Sequence, residues 1–236
     1  MPTQRALLLI ADIGGYTQYM QFHRSMLGHA EAATSRLLDK VIDAARDFDL
    51  IECEGDAAFL SRRADGLDGP AALSAITRAS VAMHRAFHAE RRRIELNMCP
   101  CGSCTKTSDL KLKFVAHTGD VATQTIKRRK KLVGMDVIYV HRLLKNSVTV
   151  PEYLLVSDDL IRNGGSASSG LVTHEIEHDL EGIGRVQNFF VNIEDIAEPV
   201  PDPTWPQRIS GTLGMVGRGL PHILPRRRQR SLTLAG

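Results

Sequence analysis

Six apolar residues in succession, from Ala6 to Ala11, constrain the fold of this chain more than any other feature of its sequence. The run ends at Asp12 and is followed by Gly14 and Gly15, so it predicts a buried strand that ends in a tight turn. From this strand to about Pro199, short apolar segments alternate with segments that repeat at the helical period. The alternation predicts a domain of mixed α and β structure.

The remaining elements are predicted from apolar periodicity and from turn residues. The predicted helices are Ala30–Phe48, a segment opened by Pro70 with Leu73, Ile76, Ala79, Met83 and Phe87 on one face, and Met135–Asn146. The predicted strands are a hairpin within Leu50–Ser61 that turns at Gly55 and Asp56, then Leu112–Thr118, Leu154–Ser157, Val172–Ile176 and Val186–Ile193. This order predicts an α+β sandwich over residues 1–198, with helices on one face of the sheet.

The composition is typical of a soluble globular chain, with 236 residues of which 43% are hydrophobic and 24% charged. No apolar run approaches the roughly 20 residues that a membrane span requires. The N-terminal segment lacks the basic region and the cleavage site of a signal peptide. Four cysteines make no disulfide framework for a chain of this size, so we expect a cytoplasmic protein.

Residues 199–236 are rich in proline, glycine and arginine and predict a flexible tail without a core of its own. Four of its arginines lie within Arg226–Arg230. This basic segment is interpreted either as a solvated end or as a weak, salt-sensitive contact to an anionic membrane. Nucleic acid would attract the same cations, but aromatic residues make up only 5% of the chain. We therefore expect no dedicated nucleic-acid binding.

Two carboxylates follow predicted strands and lie in turns, and we call Asp12 and Asp56 the Asp pair. If the first strand pairs beside the hairpin, both carboxylates converge on one edge of the sheet. Adjacent acids repel each other unless a cation lies between them, and Mg²⁺ or Mn²⁺ prefers such oxygen ligands. The alternative is that Asp12 caps the next turn and that Asp56 only forms the hairpin turn.

Five segments resemble, in the same order, the signatures of class III adenylyl and guanylyl cyclases. They are ADIGGYT (family DIxGFT), ECEGDAAF (the GD hairpin), KLKFVAHTGDV (RIGIHxGxV), VGMDVIYVHRLL (GxxVNxAxRL) and LEGIGRVQNFFV (KGxGxxxxY). Together they cover roughly residues 6–193. The segment GMDVIYVHRLLKN also resembles an uncharacterised family of cyclase-like proteins.

The resemblance implies a ferredoxin-like α/β sandwich of the nucleotidyl cyclase type that works as a head-to-tail homodimer. It implies a two-metal site for Mg²⁺ or Mn²⁺ at Asp12, Ile13 and Asp56. It assigns Arg142, from the partner chain, to stabilise charge as the 3′-hydroxyl of a nucleoside triphosphate attacks the α-phosphorus. Lys145, three residues later, shares the face of Arg142 and is a candidate nucleotide contact.

The sequence departs from the family pattern at the nucleotide contacts. Ile138 stands where the family has an asparagine, and Glu181 stands where it has a triphosphate-binding lysine. The adenine-selecting lysine and aspartate correspond to Glu52 and Lys131. One interpretation is that these two form a charge-swapped pair across the dimer that fills the base pocket.

Three clustered cysteines, Cys99, Cys101 and Cys104, have no counterpart in the cyclase signatures. They could supply three thiolate ligands to Zn²⁺, with His84 or His88 of the preceding helix as the fourth ligand. The alternative is a set of reduced loop thiols or a redox-labile pair. His117, inside a predicted strand, is interpreted as a hydrogen-bonded core histidine.

The sequence therefore predicts a nucleotidyl cyclase-like protein that binds a divalent metal and a nucleoside triphosphate. Conversion to cyclic nucleotide is expected to be weak or absent, because each lost charge-assisted contact costs about 1.5–3 kcal/mol. The alternative is a non-catalytic dimeric signalling or binding module on a degenerate cyclase scaffold.

Overall fold

The computed structural model describes residues 3–24, 27–96, 106–127, 129–206 and 209. Its strands are β1 (Thr3–Gly14), β2 (Asp49–Glu54), β3 (Ala57–Arg63), β4 (Lys111–Ile126), β5 (Arg129–Val133), β6 (Tyr153–Ser157), β7 (His174–Leu180) and β8 (Gly184–Asn192). Its α-helices are α1 (Tyr16–Phe22), α2 (Leu27–Ala44), α3 (Gly69–Glu95), α4 (Met135–Arg142), α5 (Asp158–Arg162) and α6 (Ser166–Ser169). Short 3₁₀ turns cover Lys106–Asp109 and Ile193–Asp195.

In the described part of the chain the strands form one sheet in the order β2-β3-β1-β4-β6-β8-β7, and β5 pairs with the far end of β4. Strands β4 and β6 run parallel, and the other neighbours are antiparallel. The predicted α+β architecture on a mostly antiparallel sheet is confirmed.

The predicted helix that begins with Pro70 forms as expected. The Asp68 side chain accepts a hydrogen bond of 2.8 Å from the Ala71 amide and so caps the first turn of α3, where Pro70 needs no hydrogen-bond partner. The apolar face predicted for this helix is buried along its length. An ion pair between Arg36 and the buried Glu90 joins α2 to α3.

Strand β1 is buried on both faces, which explains why six successive residues are apolar. Leu7 and Leu9 face a core formed with α2 and α3, whereas Leu8 and Ile10 face a second core that includes Val140 of α4. The expectation that helices occupy one face was therefore wrong, because a second apolar face on β1 requires its own cover. The placement of α4 on this second face determines the geometry of the candidate site.

No helix in the described ranges is long and apolar enough to cross a membrane. The cysteine cluster and the basic segment Arg226–Arg230 lie outside the described residues. At the start of the predicted tail, Asp202 accepts a hydrogen bond of 2.7 Å from Nε of Arg92 on α3.

Candidate functional site: an acidic pair and an arginine-lined cavity

The Asp pair lies on adjacent backbone segments, as predicted. Asp12 lies opposite Ala57 in the antiparallel register of β1 and β3, and the Ile13 amide donates a 3.2 Å hydrogen bond to the carbonyl oxygen of Asp56. The side chain of Ile13 is apolar and buried, so only its backbone could contribute to a metal site. The register of one strand pair thus brings together two carboxylates that are distant in the sequence.

The electrostatics of the Asp pair suit a cation. Burial, and then the negative charge of Asp12, raise the pKa of Asp56 above its ordinary value. Lys113 of β4 lies directly opposite Asp12, and its Nζ is 2.9 Å from the Asp12 carboxylate. Burial opposes the charge on Lys113, but the negative groups around it, Asp12 foremost, outweigh this effect and the lysine pKa is raised. Two converging carboxylates with hard oxygen donors fit Mg²⁺ or Mn²⁺, and Lys113 competes with such an ion for Asp12.

A cavity of about 650 Å³ lies on the α4 side of the sheet, and we call it the α4 cavity. It brings together the residues predicted to contact nucleotide: Glu52, Lys131, Arg142, Lys145 and the departures Ile138 and Glu181. Asp12 and Asp56 are not among the described residues that line it. A single chain therefore presents the predicted nucleotide contacts and the predicted metal ligands as two separate groups.

Glu52 and Lys131 form an ion pair inside one chain. Nζ of Lys131 donates to both carboxylate oxygens of Glu52, at 3.0 and 3.1 Å. The interpretation of a pair that spans the dimer was wrong, because the β4–β5 hairpin folds Lys131 back against its own strand β2. The two charges therefore neutralise each other within one chain.

Arg142 is the last residue of α4, and its guanidinium lies against the turn between β7 and β8. A Cβ atom added to Gly182 would lie 3.4 Å from Nη1 of Arg142, and Gly182 has a φ of 71° that favours glycine. Nη1 is buried and has no hydrogen-bond partner among the described residues. Arg142 also lines the α4 cavity, and a guanidinium with an unsatisfied N–H is suited to an anionic oxygen.

Helix α4 is held in place by a partly buried polar contact at its first turn. Asp136 lies 3.0 Å from Nε2 of His117 and accepts a 2.7 Å hydrogen bond from the Asp120 amide. Nδ1 of the same imidazole lies 2.9 Å from the hydroxyl oxygen of Ser157, which confirms the interpretation of a hydrogen-bonded core histidine. A Cβ at Gly119 would lie 2.1 Å from Cγ of Asp136, so only glycine leaves room for this contact.

The apolar wall of the α4 cavity was missed by the sequence analysis. Phe59 of β3 packs edge-on against His141, with ring centroids 4.8 Å apart, and both side chains line the cavity. Burial lowers the pKa of His141, so the neutral imidazole prevails near pH 7. Phe59 lies in an apolar stretch of the predicted hairpin, but no sequence signal paired it with His141.

A second cluster was also missed, and it lies on the other face of the sheet. His84 and His88 are one turn apart on α3, and Glu152, next to β6, approaches both imidazoles; we call these residues the His–Glu cluster. Burial lowers the pKa of His88. Although burial opposes ionisation of Glu152, the neighbouring imidazoles and the Leu112 amide hold its pKa well below its usual range. The spacing of the two histidines was visible in the sequence, but no sequence feature indicated that Glu152 lies beside them.

Solved structures similar to this chain are catalytic domains of nucleotidyl cyclases. The guanylate cyclase domain of RhGC from Catenaria anguillulae, in complex with GTP, superposes with a TM-score of 0.60 at 14% identity, covering 81% of this chain and 98% of that one. The guanylyl cyclase Cya2 gives a TM-score of 0.59 at 18% identity, over 80% and 92% of the two chains. The chain therefore has the fold of a nucleotidyl cyclase catalytic domain.

Residues 34–153 match the family described as "Protein of unknown function (DUF2652)". An "Uncharacterized protein Rv2561/Rv2562" from Mycobacterium tuberculosis (strain ATCC 25618 / H37Rv) is 36% identical over 193 residues, which cover 80% of this chain and 88% of that protein. The chain belongs to this family, which confirms the predicted kinship with uncharacterised cyclase-like proteins.

The raised pKa of Asp56 gives a pH-dependent prediction. A carboxyl group whose pKa is raised by folding contributes stability below its ordinary value of 3.8, and that contribution is lost as the pH rises through the folded value. We therefore expect Asp56→Asn to increase Tm at pH 7 by at most about 2–4 °C. The increase should shrink as the pH falls toward 3.8.

Thermal unfolding followed by circular dichroism between pH 7 and pH 4 measures this difference. Asp49→Asn is the matched control, because Asp49 is an exposed carboxylate in the same hairpin. A lower Tm for Asp56→Asn at pH 7, or a difference independent of pH, would contradict the account.

Proposed function

We propose that this protein is a nucleotidyl cyclase-like homodimer that binds a nucleoside triphosphate and a divalent metal at sites shared by two chains. Turnover to cyclic nucleotide and pyrophosphate is weak or absent. The observation that carries the proposal is the separation of two groups of side chains. The α4 cavity is lined by Arg142, Lys145, Glu52 and Lys131, and the Asp pair is not among its described lining residues. A head-to-tail partner would bring its own Asp pair to this cavity.

The roles follow from the chemistry of each group. Arg142 lines the cavity and has an unsatisfied N–H, and it would contact phosphoryl oxygens, where positive charge stabilises the transition state. The Asp pair would hold Mg²⁺ or Mn²⁺, which supplies Lewis acidity at the phosphates and lowers the pKa of the attacking hydroxyl. Lys145 is exposed beside Arg142 and would add charge for the polyphosphate.

Exposed apolar side chains on β2 and α4, two elements that contribute residues to the cavity lining, support a second chain in the assembly. Leu50 and Ile138 are each 44% exposed, and Met135 is 62% exposed. Ile138 lines the α4 cavity itself. A partner that covers these side chains would remove apolar surface from water and would complete the site at the same time.

Acidic side chains in the cavity are the reason to expect weak turnover. Glu181, Asp179 and Glu54 line it and repel a polyphosphate. Lys131 is already paired with Glu52, so contact with a base would require that ion pair to open. These features also favour the second candidate function, a non-catalytic dimeric signalling or binding module.

A product assay on the purified full-length protein, with Mn²⁺ and with ATP or GTP in separate reactions, tests the proposed function. We expect binding of a fluorescent triphosphate analogue that depends on Mn²⁺, with slow or undetectable formation of cyclic nucleotide. Arg142→Ala should weaken binding by roughly tenfold or more, because a charge-assisted contact is lost.

Arg185→Ala is the matched control, since the Arg185 side chain is 80% exposed on β8 and should bind as the wild type does. Equal affinity of Arg142→Ala and wild type would contradict the assigned role of Arg142. No triphosphate binding by the wild type at millimolar concentration would favour the non-catalytic module.

Replacing the acid at position 181 should improve the site. Glu181→Lys places a cation where the like charge now faces the phosphates, so triphosphate affinity should rise by about tenfold or more. Glu177→Lys makes the same change of charge on an exposed part of β7 outside the cavity lining, and should have a much smaller effect. If both variants gain equally, the gain reflects overall charge and not the cavity.

A further inference from the structure

The His–Glu cluster has the geometry of a set of metal ligands. Nε2 of His88 lies 2.9 and 3.0 Å from the two carboxylate oxygens of Glu152. Nε2 of His84 lies 3.5 Å from one of them, and the two imidazole centroids are 4.2 Å apart. One potential ligand atom from each residue lies within 4.8 Å of the others. A single ion could therefore contact all three side chains after small side-chain movements.

An ion pair alone does not account for the cluster. Nε2 of His88 lies within hydrogen-bond distance of both carboxylate oxygens of Glu152. In contrast, neither ring nitrogen of His84 has a hydrogen-bond partner among the described residues. His84 is only 7% exposed, and its polar contact within the described residues is the 3.5 Å ion-pair contact from Nε2 to Glu152. A buried imidazole with no well-formed hydrogen bond is costly. An ion bound to Nε2 of both imidazoles and to the Glu152 carboxylate would satisfy Nε2 of His84 and would replace the direct contact between His88 and Glu152.

The carboxylate is held in position by the backbone. Glu152 is 1% exposed, and one of its oxygens accepts a 2.8 Å hydrogen bond from the Leu112 amide. This contact leaves the carboxylate directed at the two imidazoles on α3. Outer hydrogen bonds of this kind orient the ligands of metal sites.

We propose that His84, His88 and Glu152 bind a divalent transition metal of the Zn²⁺ class, at a site independent of the Asp pair. Imidazole nitrogen favours such ions over Mg²⁺ or Ca²⁺, and two histidines with one carboxylate form a three-ligand set that leaves a coordination position open. The cluster borders a cavity of about 380 Å³, which has room for water or a small ligand at that position. The acids Glu194, Glu198 and Asp202 and the cations Arg91, Arg92 and Lys111 also line this cavity.

The location separates this site from the proposed nucleotide site. Leu154 and Val156 of β6 face the core shared with α3, whereas Tyr153 and Leu155 face the core shared with α4. Glu152 is two residues before Leu154, so the same alternation places it on the α3 face of the sheet. The proposal therefore goes beyond the proposed function and does not depend on it.

The proposal is tested by titrating Zn²⁺ into the metal-free full-length chain in millimolar Mg²⁺. A chromophoric chelator is the competing ligand and reports the free Zn²⁺. The chain carries Cys53→Ser, Cys99→Ser, Cys101→Ser and Cys104→Ser, so that thiolates cannot supply the ligands. We expect one Zn²⁺ per chain and a higher Tm, because an ion that binds only the folded state stabilises it. His88→Ala should weaken Zn²⁺ binding by at least about tenfold, the scale of loss when support of a metal site is removed.

His174→Ala is the matched control, because His174 is exposed on β7 and stacks only on Phe190. Glu152→Gln keeps an oxygen that can accept from Leu112 and tests the ligand set if His88→Ala fails to fold. Co²⁺ substitution should give visible d–d bands without thiolate charge-transfer bands, and these d–d bands should be lost in Glu152→Gln. Absence of stoichiometric binding, or equal affinity of the His88 and His174 variants, would overturn the proposal.

Discussion

Strand β1 carries apolar side chains on both faces, and each face is covered by a different set of helices. Helices α2 and α3 cover one face, and α4 with its neighbouring loop covers the other. Strand β1 lies between β3 and β4, so its last residues have β3 on one side and β4 on the other. Asp12 is thereby placed next to Asp56 on one side and opposite Lys113 on the other.

The position of α4 determines the second group of functional side chains. The contact between Asp136 and His117 fixes the start of the helix on the sheet, and Gly119 leaves room for it. Tyr139 of the same helix donates a 2.8 Å hydrogen bond to the buried Asn188 on β8. Arg142 then emerges at the end of a short, rigid helix, directed into a cavity that lacks the Asp pair. This division is the basis of the proposed site shared by two chains.

Much of the fold and part of the candidate site could be predicted from the sequence. Strand and helix positions follow from local periodicity, and the adjacency of the Asp pair follows from two strands that end in acidic turns. The face on which α4 packs could not be predicted, because helical periodicity shows that a face is apolar and not which side of the sheet it meets. The ion pair of Lys131 with Glu52 depends on how the β4–β5 hairpin folds back, which the sequence of the hairpin does not reveal.

The His–Glu cluster was missed for a related reason. His84 and His88 have the spacing of adjacent helical turns, which is a local signal. Glu152 is 64 residues away from His88 in the chain, and only the pairing of β6 beside β4 brings it to α3. Proximity in the sequence instead associates the histidines with the cysteines that follow Glu95, the last residue of α3.

The central claim is that a functional nucleotide site requires one chain's Asp pair and another chain's Arg142. Mixing the Asp56→Asn and Arg142→Ala variants tests it directly, because each variant alone lacks one half of every site. After subunit exchange, Mn²⁺-dependent triphosphate binding should return to about a quarter of the wild-type sites, since half of the dimers in a two-fold symmetric exchange are mixed and each has one intact site. No recovery in mixtures that light scattering shows to be dimeric would contradict the account, as would full binding by either variant alone.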